Sequence, residues 1–185
     1  MLYTRKGDNG TTKTFSCDQR ISKSSAIADS LGSMDEINSF LGLVKVKAKD
    51  VKFVLHDREL NISETIDRIQ QDLFIIQAEL AGADKKITEE KVKWLEAIVD
   101  DIEKMLPPIK SFFVSGGTEL ASLSDIARTI ARRAERRVVG VAQENNTQIG
   151  KDTLAYLNRL SSVLYAFARG FNHVAGITEE APRYD

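Results

Sequence analysis

The sequence predicts an all-α fold, a five-helix antiparallel bundle behind an irregular N-terminal arm. Apolar residues recur at three-to-four spacing over five long runs, the connections between runs are short, and only the arm and the stretch from Pro107 to Gly117 resist a helical reading. Residues 24–48 align Ile27, Leu31, Met34, Ile37, Leu41 and Val44 on one stripe. Residues 62–83 place Ile62, Ile66, Ile69, Leu73, Ile76 and Leu80 at alternating steps of four and three, an a/d seam. A third run opens at Thr88, a candidate N-cap followed by Glu89 and Glu90, whose carboxylates suit the positive end of a helix dipole. Pro107-Pro108 ends it, because proline has no N–H to donate. Residues 118–142 carry Leu120, Leu123, Ala127, Ile130, Ala134 and Val138, and residues 152–175 carry Leu154, Leu157, Ser161, Leu164, Ala168 and Phe171. Residues 50–61 are expected to be a mobile connector, and the tail after Gly176, which has no periodicity, a mobile end. The 185 residues are expected to form one domain, with 1–23 as arm, 24–176 as bundle and 177–185 as tail.

Composition excludes several classes of function. At 42% hydrophobic and 29% charged, the chain is a folded globular protein and not a disordered one. Lys+Arg 26 against Asp+Glu 27 leaves a net charge of −1, so a duplex-coating nucleic-acid binder is disfavoured and any anion site must be local. One cysteine, Cys17, excludes an internal disulfide, and His56 and His173 leave too few soft ligands for a zinc site; no protein metal site is expected. Apolar runs are too short to span a membrane, and the N-terminus lacks the apolar core of an export signal, so a cytoplasmic protein is expected.

Three places carry polar residues that packing alone does not require. The arm Thr4-Arg5-Lys6-Gly7-Asp8-Asn9-Gly10-Thr11-Thr12-Lys13 combines two glycines, hydroxyls and cations, so that its backbone can turn sharply and aim donors at an anion. It is neither a Walker A loop nor a dinucleotide fingerprint, and a surface turn with basic tips would share its composition. The stretch from Arg128 to Arg137 holds five arginines in ten residues. Arg128, Arg132 and Glu135 fall within about 60° of one another around the helix axis. Guanidinium forks suit phosphate oxygens, whereas a solvated face with an internal Arg–Glu pair is the plainer alternative. Asp35 and Asn38 in the first helix and Asn158 and Arg159 in the fifth sit where capping cannot explain them. A buried Asp35 would need a cation, with Arg128 the natural candidate, and stranding either would cost about 3–5 kcal/mol.

Six blocks together resemble the PduO-type ATP:corrinoid adenosyltransferases: Thr4 to Thr12, Gly32 to Gly42, Ile69 to Ala81, Phe112 to Gly117, Ala127 to Arg136, and Tyr156 to Ser161. They occur in order over almost the whole chain. The resemblance implies a ferritin-like helical bundle assembled as a homotrimer, with ATP between neighbouring subunits. Thr4, Arg5, Gly7, Asp8, Gly10, Thr11, Thr12, Lys13 and Lys23 are then nucleotide contacts from the arm, completed by Arg132, Glu135, Arg136 and Asn158. Arg128 would pair with Asp35 across the subunit boundary, and Phe112 matches the aromatic that occupies the lower axial face of the corrin. The chain departs from the family pattern at Ser115, where Pro is usual, at Gln77, where Gly is usual, and at Ser162, where Asp is usual.

The implied chemistry is nucleophilic substitution at the ribose C5′ of ATP by cob(I)alamin, with triphosphate leaving. The protein would align cobalt with C5′ and stabilise charge on the triphosphate through Arg132, Lys13 and a Mg²⁺ held mostly by phosphate and water. Phe112 would leave cobalt four-coordinate, easing reduction of cob(II)alamin. A cobalamin reductase and an adenosylcobalamin-dependent enzyme are the implied protein partners. The alternatives are an ATP- or phosphate-sensing bundle without turnover, and a structural or RNA-binding adaptor, which would explain the arginines but not the glycine-hydroxyl arm.

Overall fold

The computed structural model describes residues 3–14, 20–144 and 148–184; Cys17 lies outside the described residues. Its elements run β1 (Thr11–Lys13), β2 (Arg20–Ser22), α1 (Ala26–Lys47), β3 (Lys52–Val54), β4 (Glu59–Asn61), α2 (Ile62–Leu80), α3 (Glu89–Met105), α4 (Glu119–Gln143) and α5 (Lys151–Val174). The five helices stand where the apolar periodicity puts them. Strictly all-α is corrected, because β1 pairs antiparallel with β2, and β3 with β4, as two small two-stranded sheets.

Pairs between helices fix their directions. Lys45–Asp67 and Asn38–Gln70 join α1 to α2, Lys47–Glu119 and Arg137–Asp29 join α1 to α4, and Asn158–Glu135 and Thr118–Asn172 join α4 to α5. In each set the numbers rise on one helix as they fall on the other, so these neighbours are antiparallel. α4 packs between α1 and α5, α2 lies on α1, and α3 lies on α5. The a/d seam of α2 is wholly inside: Ile62, Ile66, Ile69, Leu73 and Ile76 are fully buried. Each such side chain contributes about 1.5–3 kcal/mol relative to exposure. Among the described residues no helix is long and apolar enough to cross a membrane.

Helix starts are satisfied by different means. Ser25, Asn61 and Thr118 side chains each accept a backbone N–H in the first turn of α1, α2 and α4. Thr88 occupies the N-cap of α3 without a side-chain bond. α5 begins at Gly150, which has no side chain to offer, and the buried Glu79 of α2 caps it instead, accepting the Gly150 N–H at 2.8 Å and the Thr153 hydroxyl at 2.5 Å. A second buried carboxylate, Asp72, pairs with Lys91 of α3 and accepts the Tyr156 hydroxyl of α5 at 3.1 Å, tying three helices together.

Two expected mobile segments are ordered. Residues 52–61 form the β3–β4 hairpin, and the fully buried Phe53 stacks edge-on against Phe167 and Phe171 of α5, with ring centres 6.3 and 5.2 Å away. The tail docks on the loop after α3: the Val114 N–H donates to the Glu180 carbonyl at 2.9 Å, and Arg169 of α5 donates to Glu179 at 2.9 Å.

Candidate active site

The arm is a compact turn at one end of the bundle. Gly10 N–H donates to the Gly7 carbonyl at 3.1 Å, and Lys23 N–H to the Gly10 carbonyl at 2.9 Å, closing the arm on the residues that precede α1. Gly7 lies close to its neighbours: a Cβ there would be 3.1 Å from the Thr11 carbonyl oxygen and 3.2 Å from Lys23 Nζ, so the Lys23 ammonium sits against the turn. Arg5 has φ 58°, a left-handed conformation that costs about 1–2 kcal/mol for a residue with a Cβ and concentrates at binding loops. Thr4 Oγ1 accepts the Lys6 N–H, and Thr11 Oγ1 donates to Asn9 at 2.6 Å. Arg20 Nε donates to Thr11 Oγ1 at 2.7 Å. The side chain of Asp8 has no bonding partner among the described residues, and Thr12 and Lys13 extend the turn as β1.

A cleft of about 670 Å³ lies toward the other end, between the loop after α3, α4 and α5. The loop contributes Phe112, which is 81% exposed. α4 contributes Asp125, Arg128 and Arg132; α5 contributes Ser161, Ser162, Tyr165, Arg169 and Asn172. Arg128 bonds to Asp125 at 3.1 Å and lies over the Tyr165 ring, while Asp35 is exposed on α1. Within one chain, therefore, Arg128 has a different partner from Asp35. Arg132 and Arg136 project to solvent with no carboxylate partner among the described residues. Next to them, Asn158 Nδ2 donates to Glu135 at 3.0 Å and Asn158 Oδ1 accepts from Arg159 at 2.7 Å. Burial raises the Tyr165 pKa, with the charge of Arg169 opposing the rise and that of Glu179 adding to it, so its hydroxyl stays protonated at neutral pH.

The loop geometry follows from glycine. Gly116 and Gly117 have φ 132° and 102°, and a Cβ on Gly117 would lie 2.3 Å from Asn172 Oδ1, which accepts the Thr118 N–H at 3.0 Å. Ser115 precedes them and lines the cleft. Among the described residues the arm and the cleft do not meet: the hydrogen bonds of Thr4, Arg5, Thr11 and Lys23 stay inside the first 25 residues, and no arm residue lines the cleft. Among the described residues no group of three or more His, Cys, Asp or Glu could hold a metal ion.

Comparison with known proteins decides the family. The model of the cobalamin adenosyltransferase family matches residues 2–171. The chain belongs to that family. It is 38% identical to the corrinoid adenosyltransferase PduO of Salmonella typhimurium, covering 98% of this chain and 54% of that protein. It is also 38% identical to the corrinoid adenosyltransferase of Bacillus subtilis, covering 95% and 89%. The chain thus spans about half the length of the PduO relatives it matches, which for that of Citrobacter freundii is 50%. A variant PduO-type ATP:corrinoid adenosyltransferase from Lactobacillus reuteri, complexed with cobalamin and ATP, superposes with a TM-score of 0.87 at 31% identity, covering 100% of this chain and 97% of that one. Another variant of that enzyme, complexed with ATP, gives 0.85 at 32% identity, covering 98% and 100%.

Tyr165, Arg169, Asn172, Asp125 and Glu179 line the cleft without having been singled out from sequence. A signal for most of them exists. Asp125, Arg128, Arg132 and Glu135 on α4, and Asn158, Ser162, Tyr165, Arg169 and Asn172 on α5, each follow at steps of three and four, two polar stripes on helices that are otherwise apolar inside.

Proposed function

We propose that this chain transfers the 5′-deoxyadenosyl group of ATP to the cobalt of cob(I)alamin, releasing triphosphate. The observation that carries the reading is Arg132, a guanidinium with no ion-pair partner among the described residues, in a cleft also lined by the exposed Phe112. The Co–C5′ bond forms as the C5′–O bond to the triphosphate breaks, and the electron pair leaves on the phosphate oxygen. Arg132 neutralises the charge that grows there, and Arg136 reinforces it. Lys13 and Lys23, with the arm's N–H groups and the hydroxyls of Thr4, Thr11 and Thr12, grip the rest of the polyphosphate. The donors present suit a magnesium ion bound chiefly through phosphate oxygens and water, which would add to the charge stabilisation of the leaving group. Phe112 covers the lower face of the corrin and excludes both water and the axial base, which favours reduction of cob(II)alamin.

Among the described residues arm and cleft lie apart, and this supports a homotrimer in which the arm of one subunit closes over α4 of the next. In that assembly the exposed Asp35 of one subunit meets Arg128 of its neighbour. The single thiol, Cys17, fits a reducing cytoplasmic compartment in which a reductase supplies cob(I)alamin and an adenosylcobalamin-dependent enzyme takes the product. The test is an anaerobic assay with ATP and chemically reduced cobalamin, read by the absorbance of adenosylcobalamin, with sedimentation for the trimer. ATP binding without spectral conversion would leave a nucleotide-sensing bundle in place of an enzyme.

A further inference from the structure

The loop that presents Phe112 has no backbone hydrogen bond closing within residues 107–117; its anchors come from α5 and the tail. Arg169, only 3% exposed, lies at the centre of them. It donates to the Pro107 carbonyl at 3.0 Å and to the Glu179 carboxylate at 2.9 Å, and its guanidinium lies 5.1 Å from the centre of the Phe113 ring. One residue further along the tail, the Glu180 carbonyl accepts the Val114 N–H at 2.9 Å. Asn172 holds the far end of the loop through the Gly116 carbonyl at 2.9 Å, and its own carbonyl accepts the Ile177 N–H at 2.9 Å, which turns the tail back over the cleft. A guanidinium this buried is costly without a carboxylate, and Glu179 is the one it pairs with. The tail is therefore held down by a charge that α5 has already removed from water.

We infer that Arg169 and Glu179 are positioning residues for Phe112. Residues 177–180 form a strap, latched by that ion pair, which sets the height of the phenyl ring over the cleft. The strap acts on the corrinoid step and leaves the nucleotide step alone, because its anchors fall at the Phe112 end of the cleft and none touches the arm. This rests on the adenosyl-transfer reading above.

The experiment compares the full chain with Glu179→Ala in parallel assays starting from cob(II)alamin with reductant and from prereduced cob(I)alamin. For E179A the corrinoid KM is expected to rise about tenfold, with an equal fall in the cob(II)alamin rate, while the KM for ATP and kcat with cob(I)alamin stay within about twofold. Glu179→Gln keeps an oxygen opposite Arg169 and is expected to recover much of the loss. Amide exchange over residues 110–116 is expected to quicken in E179A, and the melting temperature is expected to fall as well, because Arg169 is left buried without its carboxylate. Unaltered corrinoid kinetics and exchange overturn the inference. So does a uniform loss across both substrates, which is the mark of a merely structural pair. A wild-type chain inert toward ATP and cob(I)alamin defeats the functional reading instead, and the exchange comparison still decides whether the strap holds the loop.

Discussion

Two irregular connectors, each carrying a phenylalanine, are anchored on the last turns of α5, and they are opposites. The β3–β4 hairpin inserts Phe53 between Phe167 and Phe171, where it is fully buried. The loop after α3 is held by Arg169 and Asn172, on other sides of the same turns, and leaves Phe112 81% exposed. The first connector spends its aromatic on the core and is tied down by it. The second is tied down by hydrogen bonds and a buried ion pair, which frees its aromatic to face a cleft. An exposed ring on a firmly anchored loop is a binding group, whereas a ring that anchors its own loop is a packing group.

Exchanging either ring for a methyl group should separate these roles most sharply. Phe53→Ala is expected to destabilise the fold by about 3–5 kcal/mol, read as a shifted denaturant midpoint, because it empties a three-ring cluster. Phe112→Ala is expected to leave stability within about 0.5 kcal/mol. Its adenosylation from cob(II)alamin should fall by about a hundredfold or more while ATP affinity is retained, a split consistent with loss of one transition-state contact. Normal turnover by that variant would remove Phe112 from the chemistry.

A smaller effect belongs to the polar side of the cleft. Arg132→Ala removes a cation with no ion-pair partner among the described residues, so none of the ion pairs described above is lost. ATP binding by calorimetry is expected to weaken by about 1.5–3 kcal/mol, the range for a hydrogen bond to a charged group, with little change in melting temperature. An undiminished affinity would mean that Arg132 serves the surface alone.

Helix boundaries were legible because each apolar stripe had to face a common core, although α5 is buried all round over residues 166–172. The hairpin at residues 52–61 was not. Its strands are three residues each, too short for an alternation to declare itself, and it is the docking of Phe53 on α5, with Leu55 and Leu60 also buried, that orders them. The tail likewise has no period, since a strap is ordered by the partners it reaches and not by a pattern of its own. In the site, the arginine face and the glycine-hydroxyl arm were readable as residue types. Arg169 was not, because one arginine within the apolar run of α5 looks like a snorkelling side chain until Glu179 and Pro107 are seen on either side of it. The meeting of arm and α4 belongs to the proposed trimer, and no pattern within one chain marks it.

The smallest effect tests whether the hairpin depends on charge as the Phe112 loop does. Arg58, at the β3–β4 turn, donates to Asp101 of α3 at 2.6 Å, and Lys104 adds a second bond at 3.1 Å. The hydrogen bond from Arg58, followed by that from Lys104, holds the Asp101 pKa below its ordinary value of 3.8. A depressed carboxylate pKa means that the unfolded chain binds the proton more readily. The pair's contribution is therefore present above about pH 4 and is lost as pH falls through the folded value. Both partners are solvent-accessible, Arg58 by 45%, so screening limits the pair to under about 1 kcal/mol. Arg58→Ala is expected to lower stability by no more than that at pH 7 and by progressively less below pH 4, measured by denaturant melts across the range. A loss that persists unchanged at pH 2 would mean that Arg58 acts through packing, and the hairpin would then be held by contacts other than Phe53 and this ion pair.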